Sequence, residues 1–204
     1  LLPGWSRGHV LTHLARNADG GSRLLAWART GVETAEYPSL AARAEQIAAG
    51  AGRSADELVA DVRDSAARFA AEYERMPARS WERVIRWTAG QEHPAARAAD
   101  SRLCEVLVHH ADLRAGYTPQ QWSTDFTSDM LNSVVASFAL RNETPSMRLH
   151  ATDSGLWYEL GTAPEAPVIR GSESSLLAWL MGRSEGTGLT TQGDMALPAP
   201  PFLY

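Results

Sequence analysis

Glu105-Val-Leu-Val-His109-His-Ala-Asp112-Leu113 sits inside a run of helical spacing that begins near Ala96 or Asp100 and stops at Gly116. Residues four apart on a helix lie on one face, a turn apart, so Glu105 and His109 stack and Asp112 continues their stripe. A second stripe, Leu103, Val106 and Leu107, is expected to supply core contacts. Asp112 falls in the last turn, where the helix dipole disfavours a carboxylate by a few tenths to about 1 kcal/mol. A residue set against its local preference points to another use, and orienting an imidazole is the one this position offers. The plain alternative is a solvated Glu/His/Asp face.

Ser6 to about Thr30 reads as an earlier helix, with Ser6 as cap, Gly31 as stop and an apolar face of Val10, Leu11, Leu14, Ala15 and Ala18. On it His9 and His13 repeat the four-residue spacing, and Asn17 comes next. If this face meets the Glu105/His109 face in a bundle, one histidine completes a three-ligand site, the count of a catalytic zinc with an open position. Spacing leaves open which histidine that is, and also that both are ordinary hydrogen-bonded residues. The pattern is not His-Glu-x-x-His, because the carboxylate precedes the histidine by a full turn and would itself be a ligand. Gly20-Gly21 within this helix implies a kink or a close helix approach.

Further helices are predicted around Ser39 to Ala49 and from Ser54 to Met76. The latter has a Ser54/Glu57 capping box, an apolar face of Leu58, Val62, Ala66, Phe69 and Tyr73, and Pro77 as its end. A looser stretch with Trp81, Trp87 and Pro94 follows. Past Tyr117-Thr-Pro119 the character changes, and a domain boundary is placed near Gln120, giving units 1–120 and 121–204. The second unit reads as a helix from Thr127 to Leu140 and strands at Met147–Ala151, Leu156–Leu160 and Pro167–Arg170. A last helix runs from Ser174 to Met181. The fold class is therefore a helical first domain followed by a small α+β domain.

The 204 residues are 44% hydrophobic and 21% charged, which suits a folded chain with a real core. The apolar run Ser175-Leu-Leu-Ala-Trp-Leu-Met181 is far shorter than the roughly 20 residues of a membrane span. A net charge of −5 argues against nucleic acid or an anionic membrane as the main partner. All 19 basic residues are arginine, so lysine Schiff-base chemistry is excluded. Cys104 is the single cysteine, which rules out an intrachain disulfide and suits a reducing cytoplasm. Any metal must then be held mainly by histidine and carboxylate.

Four segments together resemble the mycothiol-dependent maleylpyruvate isomerase family of the DinB superfamily. They are Leu2-Pro-Gly-Trp5-Ser-Arg-Gly-His9-Val-Leu-Thr-His13-Leu-Ala-Arg-Asn17, Ala41-Ala-Arg43-Ala-Glu45-Gln-Ile47, Glu105 to Leu113, and Leu180-Met-Gly182-Arg183. The resemblance implies a DinB-like four-helix bundle that binds a divalent metal, usually zinc, followed by a small α/β domain. It makes His13, Glu105 and His109 the metal ligands and leaves His9 to packing or hydrogen bonding. Asp112 and Asn17 stand behind the ligands. Arg183 becomes a residue needed for activity and Arg43 a substrate contact. A further helix is expected before the Trp5 segment; without it the bundle would expose an apolar groove.

The implied reaction needs no redox change: mycothiol thiolate adds to the cis double bond of maleylpyruvate, the single bond rotates, and elimination gives fumarylpyruvate, a step of gentisate degradation. Arg183, always charged, would grip a carboxylate of the dicarboxylate substrate or stabilise the enolate. Cys104 should point away from the metal side of its helix and is expected to be structural. In the family its position is commonly arginine, and Ala98-Ala-Asp100-Ser replaces bulkier residues. That departure favours, as an alternative, a mycothiol S-transferase acting on another electrophile; a rival of a different class is a noncatalytic zinc-binding stress or regulatory domain, which would need neither Arg183 nor a thiol cofactor.

Overall fold

The computed structural model describes residues 3–192 and 195–201. The chain divides into two compact units, Leu1–Ala115 and Gly116–Tyr204. The first is helical and the second is a small sheet with helices.

In the first unit α1 (Arg7–Thr30) is central, and α2 (Leu40–Gly50), α3 (Ala55–Glu74) and α4 (Ala96–Asp112) all pack on it. Local chemistry sets the ends of α1. The Ser6 hydroxyl accepts from the His9 backbone N–H, His9 Nδ1 accepts from the Ser6 N–H, and Gly31 closes the C-terminus at φ +81°. A reciprocal box between Ser54 and Glu57 opens α3 in the same way.

The Gly20-Gly21 pair does not break α1; it lets neighbours approach. A β-carbon on Gly21 would sit 2.7 Å from the Phe69 ring of α3, and one on Gly20 would press on Glu36 and Tyr37. Gly8 is tighter still, because its β-carbon would stand 2.1 Å from the Ala51 carbonyl oxygen at the end of α2. Backbone cannot swing aside as a side chain can, so Gly8→Ala should cost about 1–3 kcal/mol of stability. Chemical denaturation measures this, and an unchanged midpoint would show that α2 yields freely.

The stretch read as loose contains a hairpin instead. β1 (Val84–Arg86) and β2 (Glu92–Pro94) pair antiparallel, with Ile85 opposite His93. Three-residue strands are too short to show alternation in sequence. Buried Ile85 joins Leu24, Leu25, Ala28, Ala95 and Ala98 in one cluster, with Trp81 and Trp87 packed against it. Two apolar expectations also fail. Tyr73 is exposed at the end of α3, and Leu103 and Val106 are exposed on α4, which turns Ala98, Val108, His109 and Asp112 inward.

In the second unit α5 (Thr124–Ala139) starts three residues earlier than expected, because Ser123 caps it through the Phe126 N–H. β3 (Met147–Ala151), β4 (Trp157–Leu160), β5 (Val168–Gly171) and β6 (Thr190–Thr191) form a sheet in the order β4-β3-β5-β6. The β3–β5 pair is parallel and the other two are antiparallel. β3 alternates, burying Met147, Leu149 and Ala151. These meet α6 (Glu173–Leu180), which is buried on every side, and α6 packs on α5 through residues such as Leu131 and Phe138. No helix among the described residues is long and apolar enough to cross a membrane.

Candidate metal centre

Where α1 packs on α4, three side chains converge. His13 Nε2 lies 2.7 Å and His109 Nε2 3.1 Å from the same atom, Glu105 Oε2. The two rings meet edge to face at 4.7 Å, and His13 is 2% exposed. The ligating atoms of His13, Glu105 and His109 all fall within 4.8 Å of one another. A tetrahedral cation with ligands about 2.0–2.1 Å away would hold them roughly 3.3 Å apart, close to the His109–Glu105 spacing and wider than the His13–Glu105 one, so the side chains would have to spread to admit it.

Behind the ligands, His109 Nδ1 is 2.8 Å from Asp112 Oδ2, a carboxylate 4% exposed. Donation from Nδ1 leaves the Nε2 lone pair aimed at the cluster, which is the tautomer a cation requires. The cost of a carboxylate near the end of α4 is thus offset by this bond. Arg43 of α2 reaches the other imidazole, with Nη2 3.2 Å from His13 Nδ1. Trp5 covers the group, its ring 5.5 Å from that of His13 and stacked at 6.4 Å on that of His109.

The electrostatics follow from this arrangement. Burial pushes the Glu105 carboxyl upward, but hydrogen bonds and charge from His109 and His13 outweigh it and hold the group well below the usual carboxylate range. Burial lowers His13 despite Glu105. Burial also pulls on His109, yet Asp112 and Glu105 together raise it. Glu105 is thus ionised at neutral pH and ready to ligate. Asp112→Asn keeps the shape but weakens the hold on His109, and should lower divalent-cation affinity about 10- to 100-fold. Calorimetric titration with zinc would measure that, and an unchanged affinity would remove Asp112 from the site.

The structure brings His13, Glu105, His109, Asp112 and Arg43 together in the first unit. Asn17 stands elsewhere than expected: its Oδ1 accepts from Arg102 Nη1 at 2.9 Å, not from a candidate ligand. A turn of helix separates Asn17 from His13, and Arg102 also donates to the Leu14 carbonyl beside it. His9 is tied to Ser6 at the start of α1. Arg183 belongs to the second unit, just past Gly182 at φ +70°, where its Nη1 donates to the Met181 carbonyl at 2.7 Å. Cys104 is half-buried. Sequence reasoning gives no role to Trp5, although its place in a quoted motif is a signal.

The family model described as the mycothiol maleylpyruvate isomerase N-terminal domain matches residues 1–114, and the one described as the MDMPI C-terminal domain matches residues 121–200. Two crystal structures are similar, one of the mycothiol-dependent maleylpyruvate isomerase and one of a histidine-to-alanine mutant of it. They share 27% and 26% identity, and each match covers 98% of this chain and 83% of the other at a TM-score of 0.92. No curated protein sequence matches the chain.

Proposed function

Because the chain belongs to the mycothiol maleylpyruvate isomerase family, we propose that it is a metal-dependent enzyme that uses mycothiol to convert maleylpyruvate into its trans isomer, fumarylpyruvate. The observation that carries this reading is the His13–Glu105–His109 cluster, with Glu105 Oε2 within 3.1 Å of both imidazole nitrogens. Two neutral imidazoles and one carboxylate leave a divalent cation with net positive charge and an open position. When bound, such a cation supplies a lowered pKa to a thiol beside it, so that thiolate forms near neutral pH.

The chain's own residues do the rest. His13, Glu105 and His109 hold the cation, and Asp112 keeps His109 in the ligating tautomer. Trp5 shields the cluster from bulk water. Arg43 and Arg183 are the substrate arginines of this reading, with Arg183 orienting the dianion or stabilising the enolate that forms. Zinc suits the donor set best, although two histidines and one carboxylate also admit iron or nickel. The reading places the enzyme in a reducing cytoplasm, in gentisate degradation. Conversion of maleylpyruvate, followed with and without mycothiol and before and after chelation, tests it. Turnover is expected only when both thiol and metal are present; turnover without either one contradicts the reading.

A further inference from the structure

The α1–α4 seam that carries the cluster is joined differently from its neighbour. Ion pairs tie α1 to α3: Arg16 to Asp61, Arg29 to Glu72 and Arg68 to Asp19. Across the α1–α4 seam two guanidinium groups meet backbone and amide oxygens instead. Arg7 of α1 donates through Nε to the Leu113 carbonyl at 2.7 Å and through Nη2 to the Arg114 carbonyl at 3.3 Å. Arg102 of α4 donates through Nη1 to the Leu14 carbonyl at 2.8 Å and to Asn17 Oδ1 at 2.9 Å. One arginine reaches from α1 to α4, and the other from α4 to α1.

Local preference explains neither position. Arg7 lies in the first turn of α1, where the helix dipole disfavours a cation. What it meets is the C-terminal end of α4, where a cation is favourable and carbonyls lack partners within the helix. The chain leaves α4 through Arg114 at φ +50°, left-handed backbone that usually falls to glycine, and the carbonyl of this residue is one that Arg7 takes. Arg102 is half-buried one turn before Glu105, yet its bonds across the seam hold it on neutral acceptors.

These contacts bracket the cluster on both helices. On α1, His13 falls between Arg7 and Leu14; on α4, Glu105 and His109 fall between Arg102 and Leu113, which lie about 16 Å apart along the axis. Leu103 and Val106 are exposed, so little apolar packing backs α4 on that side. A binding constellation has to be held to within about 0.5 Å, and the register of the two helices sets how His13 meets the pair on α4.

We propose that Arg7 and Arg102 are positioning residues, a clamp that fixes α1 against α4 in the register at which His13, Glu105 and His109 hold one divalent cation. Asn17, expected behind the ligands, acts on them through Arg102. Carbonyl and amide acceptors suit the task, because a carboxylate at either contact would be a rival ligand beside the cluster. The role rests on the metal reading of the cluster.

The test measures zinc affinity by calorimetry in wild type, Arg7→Met, Arg102→Met and Arg29→Met, with thermal denaturation of each. Methionine keeps an unbranched apolar stem and removes the donors. Arg29→Met breaks an α1–α3 ion pair about 24 Å along α1 from His13, and so measures the effect of lost stability alone. Arg7→Met should bind zinc about tenfold more weakly and Arg102→Met more weakly still, while Arg29→Met stays within about twofold of wild type whatever its melting temperature. The visible spectrum of the cobalt-loaded proteins, which reports ligand geometry, should change in the first two variants and match wild type in the third. Arg7 is exposed, so Arg7→Met keeps the test decisive should Arg102→Met not fold. Zinc affinity of Arg7→Met equal to wild type, or a loss no larger than that of Arg29→Met, would overturn the clamp and leave the metal centre standing. A wild type that binds no zinc would overturn both.

Discussion

Glu105→Gln is expected to lower mycothiol-dependent isomerisation by about a thousandfold, a loss of roughly 4 kcal/mol in the barrier. Glu105 Oε2 faces both imidazoles, at 2.7 and 3.1 Å, and they hold the pKa of its carboxyl well below the usual carboxylate range. The amide has the same shape, so the fold should persist. It has no charge, however, and is a poor ligand for a divalent cation. Without a firmly held cation the thiol keeps its proton near neutral pH, and the residual rate should rise when excess zinc is added. The measurement is kcat/KM alongside zinc content and circular dichroism. A variant that folds and keeps its rate within about tenfold would mean that Glu105 is not a ligand that matters for the chemistry.

Arg183→Ala should reduce kcat/KM about a hundredfold while leaving the metal in place. A guanidinium that grips a carboxylate through two charge-assisted bonds contributes about 2–3 kcal/mol, which corresponds to that factor. Arg183→Lys should recover only part of it, because an ammonium cannot form the planar fork. In the structure Arg183 is steadied by its bond to the Met181 carbonyl, so the substitution also removes a structural contact. Thermal denaturation of the variant separates the two effects. Normal turnover by a folded Arg183→Ala protein would end the role proposed for this residue.

Much of the fold was legible because its signals are local. Ser6 and Gly31 bound α1, Ser54 with Glu57 opens α3, and the alternation of Met147, Leu149 and Ala151 marks a half-buried strand. The hairpin β1–β2 was not legible. Its strands are short, and its burial is created by Leu24 and Leu25, some sixty residues away. Leu103 and Val106 misled for a related reason: helical spacing shows that an apolar stripe exists, not whether another element covers it. In the site, spacing alone puts Glu105 and His109 on one face of α4. That His13 stands opposite them, with His9 occupied by the cap at Ser6, is a tertiary fact that periodicity left open.

Metal content decides the central claim, that His13, Glu105 and His109 hold a divalent cation. Wild type and His13→Ala, each equilibrated with zinc and then dialysed, can be compared by mass spectrometry and circular dichroism. About one zinc per wild-type chain, absent from a folded His13→Ala protein, is the predicted result. Equal zinc in the two proteins, or none in either, would contradict the account.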